Sequence, residues 1–122
     1  MLGKLQCVVF DCPDVLELAQ FYQALLGGVV NQADPRWALD SAFSTLHTDS
    51  GLVLAFQRVQ DYRPPRWPDA ACPQQFHLDV EVADLDEAEA QVLGLAPWLA
   101  DLRGPGRPSV LPASGAVLTH GI

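Results

Sequence analysis

The chain has 122 residues, 49% of them apolar and 18% charged, and carries a formal net charge of −8 at neutral pH. That is the length and composition of one globular domain able to bury a core without disulfide or metal staples. The acidity excludes nucleic acid as a partner, because phosphates would be repelled, and no apolar run approaches a membrane span.

Met1-Leu2-Gly3-Lys4 leads directly into a strand pattern, which leaves no room for a signal peptide. The three cysteines, Cys7, Cys12 and Cys72, lack the spacing of a zinc finger and are odd in number, so free thiols and a cytoplasmic location are expected. From Cys7 to Cys12 the residues alternate, with Val8, Phe10 and Cys12 on one face and Cys7, Val9 and Asp11 on the other. Asp14 and Glu17 then form an Asp-x-x-Glu capping signal. A helix is predicted from about Val15 to Leu26, with Val15, Leu18, Ala19, Tyr22, Leu25 and Leu26 inward and Gly27-Gly28 as its stop. Strand-like pieces follow at Val29–Asn31, Trp37–Leu39 and Phe43–His47, and a further strand at Leu52–Val59 after a turn at Asp49-Ser50-Gly51. Gln60–Gln75 holds four prolines, Pro64, Pro65, Pro68 and Pro73, and reads as an extended connector.

Beyond the connector the pattern restarts. Cys7–Glu17 and His77–Glu87 align at a constant offset of 70, each a short alternating strand followed by Asp-x-x-Glu and a helical pattern. Asp14, Glu17, Asp84 and Glu87 are therefore read as caps and not as catalytic groups. The second helix is predicted from about Leu85 to Leu93, with Leu85, Ala88, Val92 and Leu95 inward, ahead of Pro97. Weaker strand signals lie at Trp98–Leu102, Ser109–Leu111 and Ala116–His120. The class is α+β, with module one at about 1–59, the linker at about 60–75 and module two at about 76–122.

Four stretches, Leu5–Asp14 (LQCVVFDCPD), Phe21–Gly28 (FYQALLGG), Leu54–Pro68 (LAFQRVQDYRPPRWP) and Gln74–Asp86 (QQFHLDVEVADLD), carry a family resemblance. The chain resembles the glyoxalase/bleomycin-resistance/extradiol-dioxygenase group, the vicinal oxygen chelate superfamily, in its glyoxalase-like branch. The resemblance covers about the first three quarters of the chain. It implies two paired β-α-β-β-β modules whose curled mixed sheets enclose a ligand cleft. It also implies either a metal-dependent lyase, isomerase, epimerase or dioxygenase, or a drug-sequestering protein without chemistry. The last quarter departs from the pattern: Leu111–His120 is a short tail where relatives carry a longer hairpin and closing strand.

In metal-using relatives the first and last strands of each module supply a ligand, which carries over here to Cys7, approximately Gln57, His77, and Thr119 or His120. Of these only His77 is a strong donor type in the expected place, and a catalytic metal wants about three. The expectation is a metal-free protein that binds or sequesters a small, partly apolar molecule, with no catalytic residue assigned. The alternative is a metal-dependent lyase, isomerase or dioxygenase holding one divalent metal (zinc, nickel, iron or manganese) on His77 and Cys7. Alternation along Phe76–Val82 places His77, Asp79 and Glu81 opposite an apolar face, so His77 and Asp79 are candidate ligand contacts. Trp37, Phe43, Phe56 and Gln57 complete the predicted binding set, as walls of an apolar cleft. His47, beside Thr48-Asp49, reads as a solvated turn residue. Arg58, Arg63 and Arg66 read as solvated or paired, or as a carboxylate clamp at the cleft rim. Curled sheets made of short strands leave edges to cover, so a homodimer is expected.

Overall fold

A computed structural model describes residues 2–63, 70–71 and 78–95, and the backbone of 110–111 and 116–120. The chain divides into two compact units, Met1–Tyr62 and Arg63–Ile122. Nine elements are described: β1 (Val8–Cys12), α1 (Val15–Leu26), β2 (Val29–Val30), β3 (Phe43–His47), β4 (Val53–Arg58), β5 (Leu78–Val82), α2 (Leu85–Leu95), β6 (Val110–Leu111) and β7 (Ala116–His120). The class is α+β.

In the first unit the sheet order is β1-β4-β3-β2, with β1 parallel to β4 and the other neighbours antiparallel. The parallel pair is possible because α1 and the two intervening strands carry the chain back to the starting end. Register ties Phe10 to Phe56 and Phe56 to Ser44, so these residues share one face. On that face Tyr22 of α1 stacks on Phe10 at 5.3 Å and on Phe56 at 5.8 Å between ring centroids. Tyr22, Phe56, Leu46 and Leu54 are fully buried, and Cys12 nearly so. The core of this unit therefore lies between α1 and the even-numbered positions of β1, β3 and β4.

Asp14 caps α1 as expected, its Oδ1 accepting from Glu17 N at 2.9 Å. The helix starts and ends where its apolar spacing and Gly27-Gly28 place it, with Phe21 as an additional buried residue. Glycine at 28 is a steric requirement. Its φ is +106°, and a Cβ there would lie 2.8 Å from Thr48 Cα and closer still to the His47 carbonyl. The segment Trp37–Leu39 is not a strand; the only pairing near it is an isolated bridge between Asp40 and Phe43. Local hydrogen bonds replace the ladder: Asp34 Oδ1 accepts from Arg36 N at 3.0 Å and Asp34 O from Trp37 N at 3.2 Å. With Pro35 fixing the first central φ, this is the chemistry of an Asx-initiated turn.

In the second unit the order is β5-β7-β6, with β5 parallel to β7 and β7 antiparallel to β6. The short tail still supplies a closing strand. β5 and α2 begin seventy residues after β1 and α1, and Asp84 Oδ1 accepts from Glu87 N at 2.8 Å. α2 runs two residues beyond its expected end, to Leu95, which is 56% exposed and not inward. Most of the proline-rich connector, and the expected strand at Trp98–Leu102, lie outside the described residues.

Gly28→Ala is expected to destabilise the protein by at least about 2 kcal/mol, from left-handed strain and displacement of the β3 end. Urea unfolding reads this directly, and an unchanged midpoint would contradict the close approach.

Candidate functional site

With the even face of the first sheet given to α1, chemistry in this unit belongs on the opposite face. Register aligns Asp11, Gln57 and Phe43 across β1, β4 and β3, and likewise Val9, Ala55 and Thr45. His47 pairs with Val53 and continues the same face. The rim is open, with Gln57 and Asp11 exposed, whereas Thr45 and Ala55 at the centre expose nothing.

One side of this face carries a polar cluster. The turn at Asp34 brings Trp37 over β3, where its ring meets the His47 imidazole edge-on at 5.7 Å between centroids. Arg36 stacks on Trp37 with Cζ 4.2 Å from the ring centroid, donates to both Asp34 carboxylate oxygens at 2.6–3.1 Å, and reaches Gln6 Oε1 at 3.0 Å. Asp34 Oδ2 also lies 3.2 Å from His47 Nε2. The hydrogen bonds from Arg36 hold the Asp34 carboxyl well below the usual carboxylate range, with His47 adding to the effect. An ionised carboxylate only accepts, so Nε2 of His47 carries a proton toward Asp34, and in the neutral imidazole Nδ1 is then the lone-pair acceptor. Neither His47 Nδ1 nor Thr45 Oγ1, both buried, has a hydrogen-bond partner among the described residues.

His47 is thus no solvated turn residue: its side chain is 15% exposed and it ends a strand. Two signals could have found it: its odd-numbered place in line with Phe43 and Thr45, and the Asp-Pro turn that returns Trp37 to the sheet. Phe56, predicted as a cleft wall, is fully buried on the helix side against Phe10 and Tyr22, because β4 offers its even positions to α1. Trp37, Phe43 and Gln57 belong to the helix-free side. In the second unit Asp79 is exposed on β5, beside buried Val80. His77 lies outside the described residues, and so do Arg66 and the side chains of Thr119 and His120.

The donor set expected for a metal can be tested in the first unit. Cys7 sits one residue before β1, whereas Gln57 pairs with Asp11, four positions further along the same strand direction. That is roughly 13 Å along the sheet, too far for two donors of one ion. The residue level with Cys7 on β4 is apolar Val53, so these two residues do not fit half of a shared metal site. Among the described residues no three His, Cys, Asp or Glu side chains converge as ligands. The buried thiol of Cys12 is pushed up to about 11 by burial and by Asp14 and Asp11, and donates to Gln57 O at 3.7 Å. It is a packing group and not a nucleophile.

On the helix side a cavity of about 320 Å³ opens at the α1 N-terminus, lined among others by Asp14, Asp40, Ser41, Ser44 and Arg58. Of the residues expected to meet a ligand it contains only Arg58, the candidate rim clamp, and its mixed charges select no ligand class.

The first unit is thus a capped strand–helix unit closed by a parallel last strand, with polar and aromatic groups gathered on its helix-free face. Residues 7–107 match the glyoxalase-like domain family, and the chain belongs to that family, within the glyoxalase/vicinal oxygen chelate superfamily. Among solved structures it is similar to a possible glyoxalase from Bacillus cereus, with a TM-score of 0.50, 15% identity and 98% of each chain covered. At that identity the likeness concerns the fold. No curated protein matches the chain. Among the described residues no helix is long and apolar enough to cross a membrane.

The Asp34 interactions carry a pH dependence. Its folded pKa lies below its ordinary value of 3.8, so its stabilisation is complete above that pH and is lost as pH falls toward the folded value. Wild type is therefore expected to lose more stability than Asp34→Asn between about pH 7 and about pH 3 in urea titrations. Equal losses would mean that the Arg36–Asp34–His47 cluster does not form in solution.

Proposed function

We propose that the protein binds a small, partly apolar molecule on the helix-free side of its sheets and needs no metal to do so. One observation carries the reading: that side of the first sheet holds two buried polar atoms without partners among the described residues, next to an aromatic ring, whereas the centre of the helix side is committed to packing. Buried orphans cost about 1–3 kcal/mol each, and such a cost persists where a ligand relieves it. The separation of Cys7 and Gln57 supports the metal-free form. In this reading the first unit contributes Trp37, Phe43 and Gln57 as ligand contacts, and the second contributes His77 and Asp79. The role is sequestration or carriage in the cytoplasm. The protein acts as a homodimer, since β1 and β2 are open edges carrying Val9 and Val29 about half exposed.

Native mass spectrometry of the purified chain with elemental analysis tests all of this together. The expected result is a dimer that releases a small organic molecule on denaturation and holds only traces of metal. His77→Ala should leave folding intact and alter what is bound. Near one zinc, nickel, iron or manganese per chain, abolished by His77→Ala, would replace this reading with the metal-dependent enzyme. A monomer would remove the dimer alone.

A further inference from the structure

The two orphan atoms stand on one face of one strand, and their chemistry is complementary. Thr45 and His47 are alternate residues of β3, so their side chains leave the same side, roughly 6.6 Å apart at the backbone. In the neutral imidazole with Nε2–H held by Asp34, His47 Nδ1 can only accept, and the Thr45 hydroxyl has a proton to donate. A single hydroxyl serves both atoms at once: its proton goes to Nδ1 while its oxygen accepts from Thr45. A carboxylate would offer Nδ1 no proton, and an ether or ketone would leave it unsatisfied.

The surroundings define the rest of such a ligand. Trp37 stands edge-on to the imidazole, and Ala55 and Phe43 flank Thr45 across the register and along the strand. An apolar or aromatic group beside the hydroxyl therefore replaces water at little cost. The half-buried Trp37 lies on the irregular segment after the Asp34 turn and borders this point through its contact with His47. Asp34 does not touch the ligand. It is a positioning residue that fixes the imidazole tautomer, itself clamped by the fork of Arg36.

We infer that Thr45 Oγ1 and His47 Nδ1 form a hydroxyl-recognition point, selecting small alcohols or phenol-like molecules with an adjoining apolar group. This rests on the proposed ligand-binding face and specifies the chemistry recognised there.

The test uses the full chain with two probes, benzyl alcohol and its methyl ether. Side-chain nitrogen NMR of His47 and the Trp37 indole is read together with the backbone amides of β3 and β4. The alcohol should move the His47 Nδ1 resonance saturably and bind at least about tenfold more tightly than the ether. Thr45→Val should cut alcohol affinity about tenfold, leave ether affinity unchanged and keep or raise the melting temperature, because it removes an unpaired buried hydroxyl. If both probes perturb Trp37 and the β3–β4 amides alike, the binding face stands and hydroxyl recognition is overturned. If neither perturbs them, the binding face fails as well. A marked drop in the melting temperature of Thr45→Val would show that a structural water pairs these atoms, which also overturns the inference.

Discussion

The three-ring stack of Phe10, Tyr22 and Phe56 is the constraint on which the first unit depends. Each ring buries on the order of 150–250 Å², and each well-placed pair adds about 0.5–1.5 kcal/mol beyond area burial. The stack fixes which side of the sheet α1 covers. Once Phe56 is turned to the helix, period-two alternation leaves Gln57, Ala55 and Val53 no choice of side, and register carries that choice to β1 and β3. A slip of one residue would exchange the core with the candidate site.

What lies on the freed side is chemically specific. Arg36, Asp34 and His47 form a chain in which each group sets the state of the next: the guanidinium keeps the carboxylate ionised, and the carboxylate keeps the proton on Nε2. The outcome is an imidazole whose Nδ1 is buried and, among the described residues, unpaired, on the same strand face as an equally unpaired threonine hydroxyl. Such sites are destabilising in isolation. A sheet whose other face is packed with aromatic rings can tolerate them, and the tolerated cost is what makes a binding face distinct from a second core.

Much of this was legible in the residues. The Asp-x-x-Glu caps at 14–17 and 84–87, the α1 limits and the two faces of β1 and β5 all follow from short-range rules, and the structure reproduces them. The misses share another cause. Trp37–Leu39 alternates like a strand, but Asp34-Pro35 captures the backbone first, and that same turn delivers Trp37 to His47. His47 looks solvated because Thr48-Asp49 follows it at the end of its strand, yet the Asp34 turn folds Trp37 against it and leaves its side chain 15% exposed. Phe56 lies on a strand fit to wall a cleft, and its apolar ring says only that it is buried. Which side it is buried on depends on α1, a partner more than thirty residues away in sequence. Long-range register is what a single sequence does not display.

The central claim is that the two faces of the first sheet do different jobs, one stability and the other binding. Urea unfolding of Phe56→Ala beside Trp37→Ala measures that division most directly. Loss of Phe56 should cost about 3–5 kcal/mol, as for any large core ring, and loss of Trp37 about 1 kcal/mol or less. Equal costs, or a larger cost for Trp37, would show that the helix-free face is a second core, and the account would fall.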